Sequence, residues 1–433
     1  MTNEARLPHV VWIGTDLPWP LDSGFRIRAF ENLRAIAQFA EVTIICLAEP
    51  PGIDDRAEQL SAELPDTVRV LPPVAHDIHI RRDPAKLARA FFSGMSRGLP
   101  YKVAKFRSAA MEERLAAVLS GVRVDVLHVE LATAPYAEYV ASIATGPCRV
   151  VLDEHNIESQ MLLEHCSSRS FGALTPIAYL EALRTRTFER ATARDVDLVF
   201  LISEQDREAI QALTAQRGAR TCVVPPVVAL PRADAIRNHS GRIGAHPTLT
   251  FVGQMSWLPN EEAVRFFAQD VLPLIRSAGA DPRVLVVGGG VSAALQADLA
   301  SAGVETLGYV EDLAEIYHRT DVFIAPFTGG GGVRIKLLDA MSAGLPVVTT
   351  PAGAKGLESE AGRALLVADG AEQFARAVRR VLDNPGIARR LSDSGLEYVR
   401  RHHSRASAVE LMRTAYGSVL DGDEPPLAVE VAS

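Results

Sequence analysis

Short, unbroken apolar runs recur along the chain, separated by stretches with helical periodicity. HVVWIG (His9 to Gly14), EVTIICL (Glu41 to Leu47), TVRVLPP (Thr67 to Pro73), VDVLHVEL (Val124 to Leu131), CRVVLDEH (Cys148 to His155), DLVFLIS (Asp197 to Ser203) and TCVVPPVV (Thr221 to Val228) each read as a strand apolar on both faces. Between them, Ile27, Phe30, Leu33 and Ala37 share one helical face, DDRAEQLSAEL is a second helix, and 156–194 is a long helical stretch. TLTFVGQ, RVLVVGGG, VETLGYV, DVFIAP, PVVTT and ALLVA then alternate with helices again. This pattern predicts an α/β protein of two Rossmann-like, doubly wound domains. The polar, glycine-containing run Ala229 to Pro247 has no periodicity and is the expected linker. The expected domains are therefore 1–228 and 248–400, followed by a C-terminal helix over 401–420 and a disordered tail over 421–433.

FTGGGGVRIKLLDAMSAGLPVV (Phe327 to Val348) follows the strand DVFIAP and concentrates the chemistry. Gly329 to Gly332 can approach a ligand without side-chain interference. A helix is expected from near Val333, with Val333, Leu337, Ala340, Met341 and Gly344 on its apolar face, ended by Gly344 and Pro346. Its N-terminus suits an anion such as phosphate. Arg334 in the first turn opposes the helix dipole, which points to a ligand, and Lys336 and Asp339 lie three apart on a polar face. The plainer alternative is a loop that only turns the chain, with Lys336 and Asp339 paired in solvent.

The same strand–loop–helix geometry occurs near the start, where Asp16 to Gly24 lead into a helix carrying Arg26 and Arg28. CRVVLDEH ends in polar residues at the carboxyl end of a strand, where open α/β sheets place ligands, so His155 is a candidate, with Asp153, Glu154 and Glu158 around it. Glu130 ends the preceding strand. GGGVSA (Gly288 to Ala293) fits a dinucleotide pattern, but no acid clearly ends the next strand. Segment 81–108 is basic, with Leu87, Phe91, Phe92 and Met95 interleaved, and is a candidate surface for anionic lipid or an anionic acceptor.

The chain has 433 residues and a formal net charge of −8, which gives no general attraction to nucleic acid. Cys46, Cys148, Cys166 and Cys222 are scattered, which indicates neither a disulfide framework nor a zinc site. The first residues lack a signal-peptide pattern, so a cytoplasmic protein is expected, with peripheral contact at the inner membrane face left open.

GGVRIKLLDAMSAGLPVVTTPAGAKGL (Gly331 to Leu357) and TFVGQMSWLPNEEAVRFF (Thr250 to Phe267) resemble the family-4 glycosyltransferases of GT-B architecture. The resemblance implies two domains facing across a cleft, acceptor-side and nucleotide-sugar domains in chain order, and a final helix crossing back to the first. It places Asp339 on the donor ribose and His155 at the catalytic position. Gly24, Gly331 and Gly332 would approach the donor diphosphate; Gln254, Val310 and Val333 would border the base or sugar; Glu130 and Arg26 would lie on the acceptor side. Two departures stand out: the family's first acid is replaced by Gly331, and its usual arginine and lysine by Gln254 and Pro259-Asn260. A dianionic leaving group still needs cations, and Arg334 and Lys336 are the expected replacements. The implied reaction is sugar transfer from a nucleotide-diphosphate donor to an acceptor hydroxyl or amine, with retention, without metal and without cofactor. The acceptor would be a small molecule, a lipid-linked group or a saccharide. The alternatives are a sugar-nucleotide epimerase of the same architecture and an inactive nucleotide-sugar-binding protein.

Overall fold

The computed structural model describes residues 6–77, 84–167, 175–215, 218, 220–231, 236, 244, 246–329 and 335–422. They form two compact units, Met1–Pro225 together with Ala406–Ser433, and Pro226–Arg405.

The first unit is built on a parallel sheet of β1 (His9–Gly14), β2 (Glu41–Ala48), β3 (Val68–Val70), β4 (Val74–Ala75), β5 (Val126–Glu130), β6 (Arg149–Asp153), β7 (Leu198–Leu201) and β8 (Arg220–Val223). The strand order is β3-β2-β1-β5-β6-β7-β8, with β4 beside β2. The strand expected over Thr67 to Pro73 is shorter, Val68–Val70, since Pro72 and Pro73 donate no ladder hydrogen bonds, and the two-residue β4 follows beyond it. The expected helical stretch 156–194 contains two helices, Glu158–Ser167 and Thr175–Asp195. Val11, Ile13, Leu127, Val129, Leu152 and Val199 are buried in one continuous core.

Ser23 caps the helix Gly24–Ile36, its side chain accepting from the backbone of Arg26. The helix Arg405–Asp421 completes this unit. Its buried Tyr416 hydroxyl is 2.6 Å from Nδ1 of His128, and the His128 ring stacks on Trp12 with 3.8 Å between centroids.

The second unit carries β9 (Thr248–Val252), β10 (Arg283–Val287), β11 (Val304–Gly308), β12 (Val322–Ala325), β13 (Val347–Thr349) and β14 (Leu365–Val367), all parallel in the order β11-β10-β9-β12-β13-β14. Strand order reverses at β9, so the carboxyl ends of β9 and β12 flank the topological switch point. The chain enters this unit at Pro226, ahead of the expected linker. His403 holds it there, its backbone carbonyl accepting from Val228 N at 3.0 Å and its Nδ1 lying 2.8 Å from the Pro226 carbonyl. Most of 229–247 and all of 423–433 lie outside the described residues, as do Gly331, Gly332, Val333 and Arg334; the helix expected from near Val333 is described as Ile335–Ser342.

Candidate functional site

The loops after β9 and β10 are stapled together. Gly253 donates to Val287, and Met255 donates to Gly289, both at 2.8 Å. Gly288 has φ +140°, and a Cβ there would lie 1.9 Å from the Gly253 carbonyl oxygen, so this contact requires glycine. Asn260 turns its amide back to the Gln254 carbonyl at 2.8 Å and offers its own oxygen to Lys336 Nζ at 2.7 Å. The Lys336 ammonium also lies 5.3 Å from the Phe251 ring centroid, 5.1 Å from Phe327 and 5.9 Å from Trp257. These rings hold the charge by cation–π attraction and limit its wandering.

Lys336 therefore does not stand on a solvated helix face. It reaches the switch-point end of the sheet and contacts the same loop that carries Gln254. Asp339 is half-buried; burial raises its carboxyl and Lys336 lowers it, leaving it at about 7. Gln254 is exposed and donates to Ser256 at 3.2 Å. Val310 is half-buried against a small cluster of Leu285, Val287 and Ile316. The pattern-based reading missed two aromatics at this end of the unit, Tyr309 at 78% exposure and Trp257 at 43%. No periodicity marks them, because each stands alone in a loop.

In the first unit the carboxyl ends of β1, β5 and β6 gather a second constellation. Thr15 donates its hydroxyl and, at 3.3 Å, its backbone N–H to one oxygen of Glu130; the other oxygen is buried without a hydrogen-bond partner among the described residues. Burial is the main force that lifts the Glu130 carboxyl to about 8, and Asp153 and Asp16 add to it against the Thr15 bonds. Asp153 is fully enclosed. Arg28 lies 2.9 Å from one of its oxygens, and Asn32 donates at 2.9 Å to the other. Burial opposes its charge, yet Arg28, His155 and His128 hold the carboxyl well below its ordinary range.

His155 sits one residue beyond Glu154, its ring 4.7 Å from that of Phe25 and its Nε2 3.9 Å from Asp153. Burial lowers its pKa to about 4 despite Asp153, so the imidazole is neutral near neutral pH. Its Nε2 has no hydrogen-bond partner among the described residues. Glu154 is buried and raised, first by burial and then by Glu189 and Glu158. Glu158 is paired with Lys102.

Arg26, the other acceptor-side candidate, is ion-paired within its own loop and helix. Asp16 at 2.6 Å and Asp22 at 2.9 Å both hold it, so it clamps the loop from Asp16 to Gly24. Arg28 is likewise committed, to Asp153 and the Val224 carbonyl. Gly24 begins the helix after that loop. No group of three or more His, Cys, Asp or Glu among the described residues could hold a metal ion.

Two Rossmann-like units, each with its polar residues at the carboxyl ends of parallel strands, define the GT-B class. Two family models match in tandem, a glycosyl transferase 4-like domain over residues 23–226 and glycosyl transferases group 1 over 246–384. The chain belongs to the family-4-like glycosyltransferases.

A phosphatidyl-myo-inositol mannosyltransferase of Mycobacterium leprae is 24% identical over 89% of this chain and 96% of its own length. One of Propionibacterium freudenreichii is 29% identical, over 41% of this chain and 44% of its own length. Among solved structures, sucrose-phosphate synthase from Thermosynechococcus elongatus superposes with a TM-score of 0.66 at 16% identity, covering 96% of this chain and all (100%) of the other. Anabaena HepE, solved in complex with UDP and glucose, does so at 0.59 and 12%, covering 95% of this chain and 100% of the other.

Proposed function

We propose that this glycosyltransferase moves a sugar from a nucleoside-diphosphate donor to an acceptor hydroxyl or amine, with retention at the anomeric carbon and without a metal ion. The reading rests chiefly on Lys336, whose ammonium is held by Asn260 and three aromatic rings at the switch point of the second sheet. A leaving diphosphate must be stabilised as the glycosidic bond breaks, and a preorganised cation supplies that without metal. Asp339, three residues further along the same helix, suits the ribose hydroxyls, since a carboxylate can accept from both.

In the first unit, neutral His155 with its unused Nε2 suits a hydrogen bond to a sugar hydroxyl, and Asp153 keeps the surrounding positive charge balanced. Glu130, protonated near neutral pH, is a further acceptor-side candidate. The mannosyltransferase relative makes a mannose donor the first to test, and the UDP-bound neighbour a uridine donor the second.

Incubation with a panel of nucleotide sugars, with and without candidate acceptors, tests the reading. Acceptor-dependent release of the nucleoside diphosphate and an α-linked product from an α-linked donor, both undiminished by EDTA, are expected. Epimerised donor without acceptor, or no turnover of any donor, would replace the transferase reading by an epimerase or a binding protein.

A further inference from the structure

Three arginines of the first unit converge on one cavity at the amino ends of its strands, opposite to Glu130 and His155. Arg149 opens β6, Arg220 opens β8, and Arg194 lies in the last turn of the helix Thr175–Asp195. The cavity has a volume of about 290 Å³, and Gly422, near the end of the last helix, lines its rim. Among the described residues of the lining Asp197 is the one carboxylate, so three arginines against it leave a net charge of +2 there.

That carboxylate is already committed. One oxygen accepts from Arg149 at 3.0 Å and the other from the Val150 backbone at 2.8 Å. Arg194 donates once, to the Thr214 carbonyl at 2.8 Å. Arg220 donates to the carbonyls of Ser418 at 3.0 Å and Gly422 at 2.8 Å. Each guanidinium has five N–H donors, so every one of the three keeps donors to spare. Their positions are set by backbone and carboxylate partners, so little ordering remains to be done when an anion arrives.

We propose that this cavity binds a phosphate monoester at a site separate from the sugar-transfer chemistry. Planar guanidiniums match phosphate oxygens in pairs, and several together hold a dianion where isolated surface arginines would not. A water occupies about 30 Å³, so the cavity has room for a phosphate and a small organic substituent. The site shares no residue with the donor site and stands or falls independently of the proposed transfer reaction.

Calorimetric titration of the full chain with inorganic phosphate and with glycerol 3-phosphate tests this, at fixed ionic strength in chloride. Saturable binding with a submillimolar dissociation constant is expected. Arg149→Gln and Arg194→Gln should each weaken it about 10-fold or more, the loss of one charge-assisted bond. Lys336→Ala should leave it unchanged. Arg220 is left intact because it holds the last helix, and melting curves confirm that each variant is folded. Heat that does not saturate, an affinity equal to the parent's in either arginine variant, or loss of binding in Lys336→Ala would each overturn the site.

Discussion

Lys336 donates to Asn260 through a 2.7 Å bond that joins the helix Ile335–Ser342 to the first turn of the helix Leu258–Phe266, which follows β9. The resembled family is expected to carry an arginine and a lysine after this strand, where this chain has Gln254 and Pro259-Asn260; Asn260 receives a lysine from elsewhere in the chain. A positive charge is thus kept at the switch point while its sequence address moves. Asn260 and three aromatic rings fix it, so under the proposed function little ordering would be needed for it to meet a diphosphate.

Lys336→Ala should weaken donor use about 10- to 150-fold, the range expected for losing a charge-assisted hydrogen bond of roughly 1.5–3 kcal/mol. Steady-state kinetics with varied donor read this directly. Donor kinetics like the parent's would assign the phosphate charge to other residues.

Two glycines give opposite outcomes. A Cβ on Gly253 would lie 2.7 Å from both the Lys336 Nζ and the Asn260 amide nitrogen, which are flexible side-chain ends. Gly253→Ala should therefore fold yet bind the donor poorly. Gly288→Ala should fail to accumulate as folded protein, because its Cβ meets backbone oxygen at 1.9 Å and its φ is +140°. Soluble yield and melting temperature distinguish the two.

Nucleotide affinity should rise with pH through about 7. Burial raises Asp339 to about 7, and at the proposed ribose site its charged form would accept from both hydroxyls while the protonated form would accept less well. Asp339→Asn should bind more weakly and show no such rise. A parent affinity that is flat from pH 6 to 8 would remove Asp339 from the ribose site.

Glu130 links stability to pH with a definite sign. Its folded pKa of about 8 exceeds the ordinary 4.5, so the native state holds a proton that the unfolded chain releases between them. Its contribution is intact below 4.5 and is lost as pH rises through 8, by at most roughly 5 kcal/mol. Glu130→Gln should melt higher than the parent at pH 8 and lose that advantage at pH 5. His155 acts in the opposite direction. Its depressed pKa of about 4 makes stability fall as pH drops from 6.5 toward 4, and His155→Gln should flatten that acid limb.

His155→Ala should reduce transfer more than nucleotide binding. Measuring the nucleotide dissociation constant beside kcat separates the two, and equal losses would make His155 a structural residue.

Tyr416→Phe should destabilise the first unit by about 1–3 kcal/mol, because the buried His128 Nδ1 would lose its partner. Chemical denaturation checks this.

The alternation of apolar strands and amphipathic helices is a local property, and it sufficed to place β1, β2, β9 and β12 and to divide the chain into two α/β units. The apolar run before it also placed His155 just beyond the carboxyl end of β6. Side-chain pairing did not follow. Arg26 and Arg28 stand two residues apart on one helix; their sequence neighbours do not show that Asp16 and Asp22 neutralise the first and Asp153 the second. Lys336 and Asp339 are helix neighbours, yet the lysine turns to Asn260, 76 residues away.

What the sequence determined by itself is the order and kind of the elements, since these depend on burial patterns repeated every two or every 3.6 residues. What only the tertiary structure decided is which charges remain available for a ligand. A carboxylate far along the chain, such as Asp153 on β6, can claim an arginine such as Arg28 only once the helix and the strand that carry them are packed together.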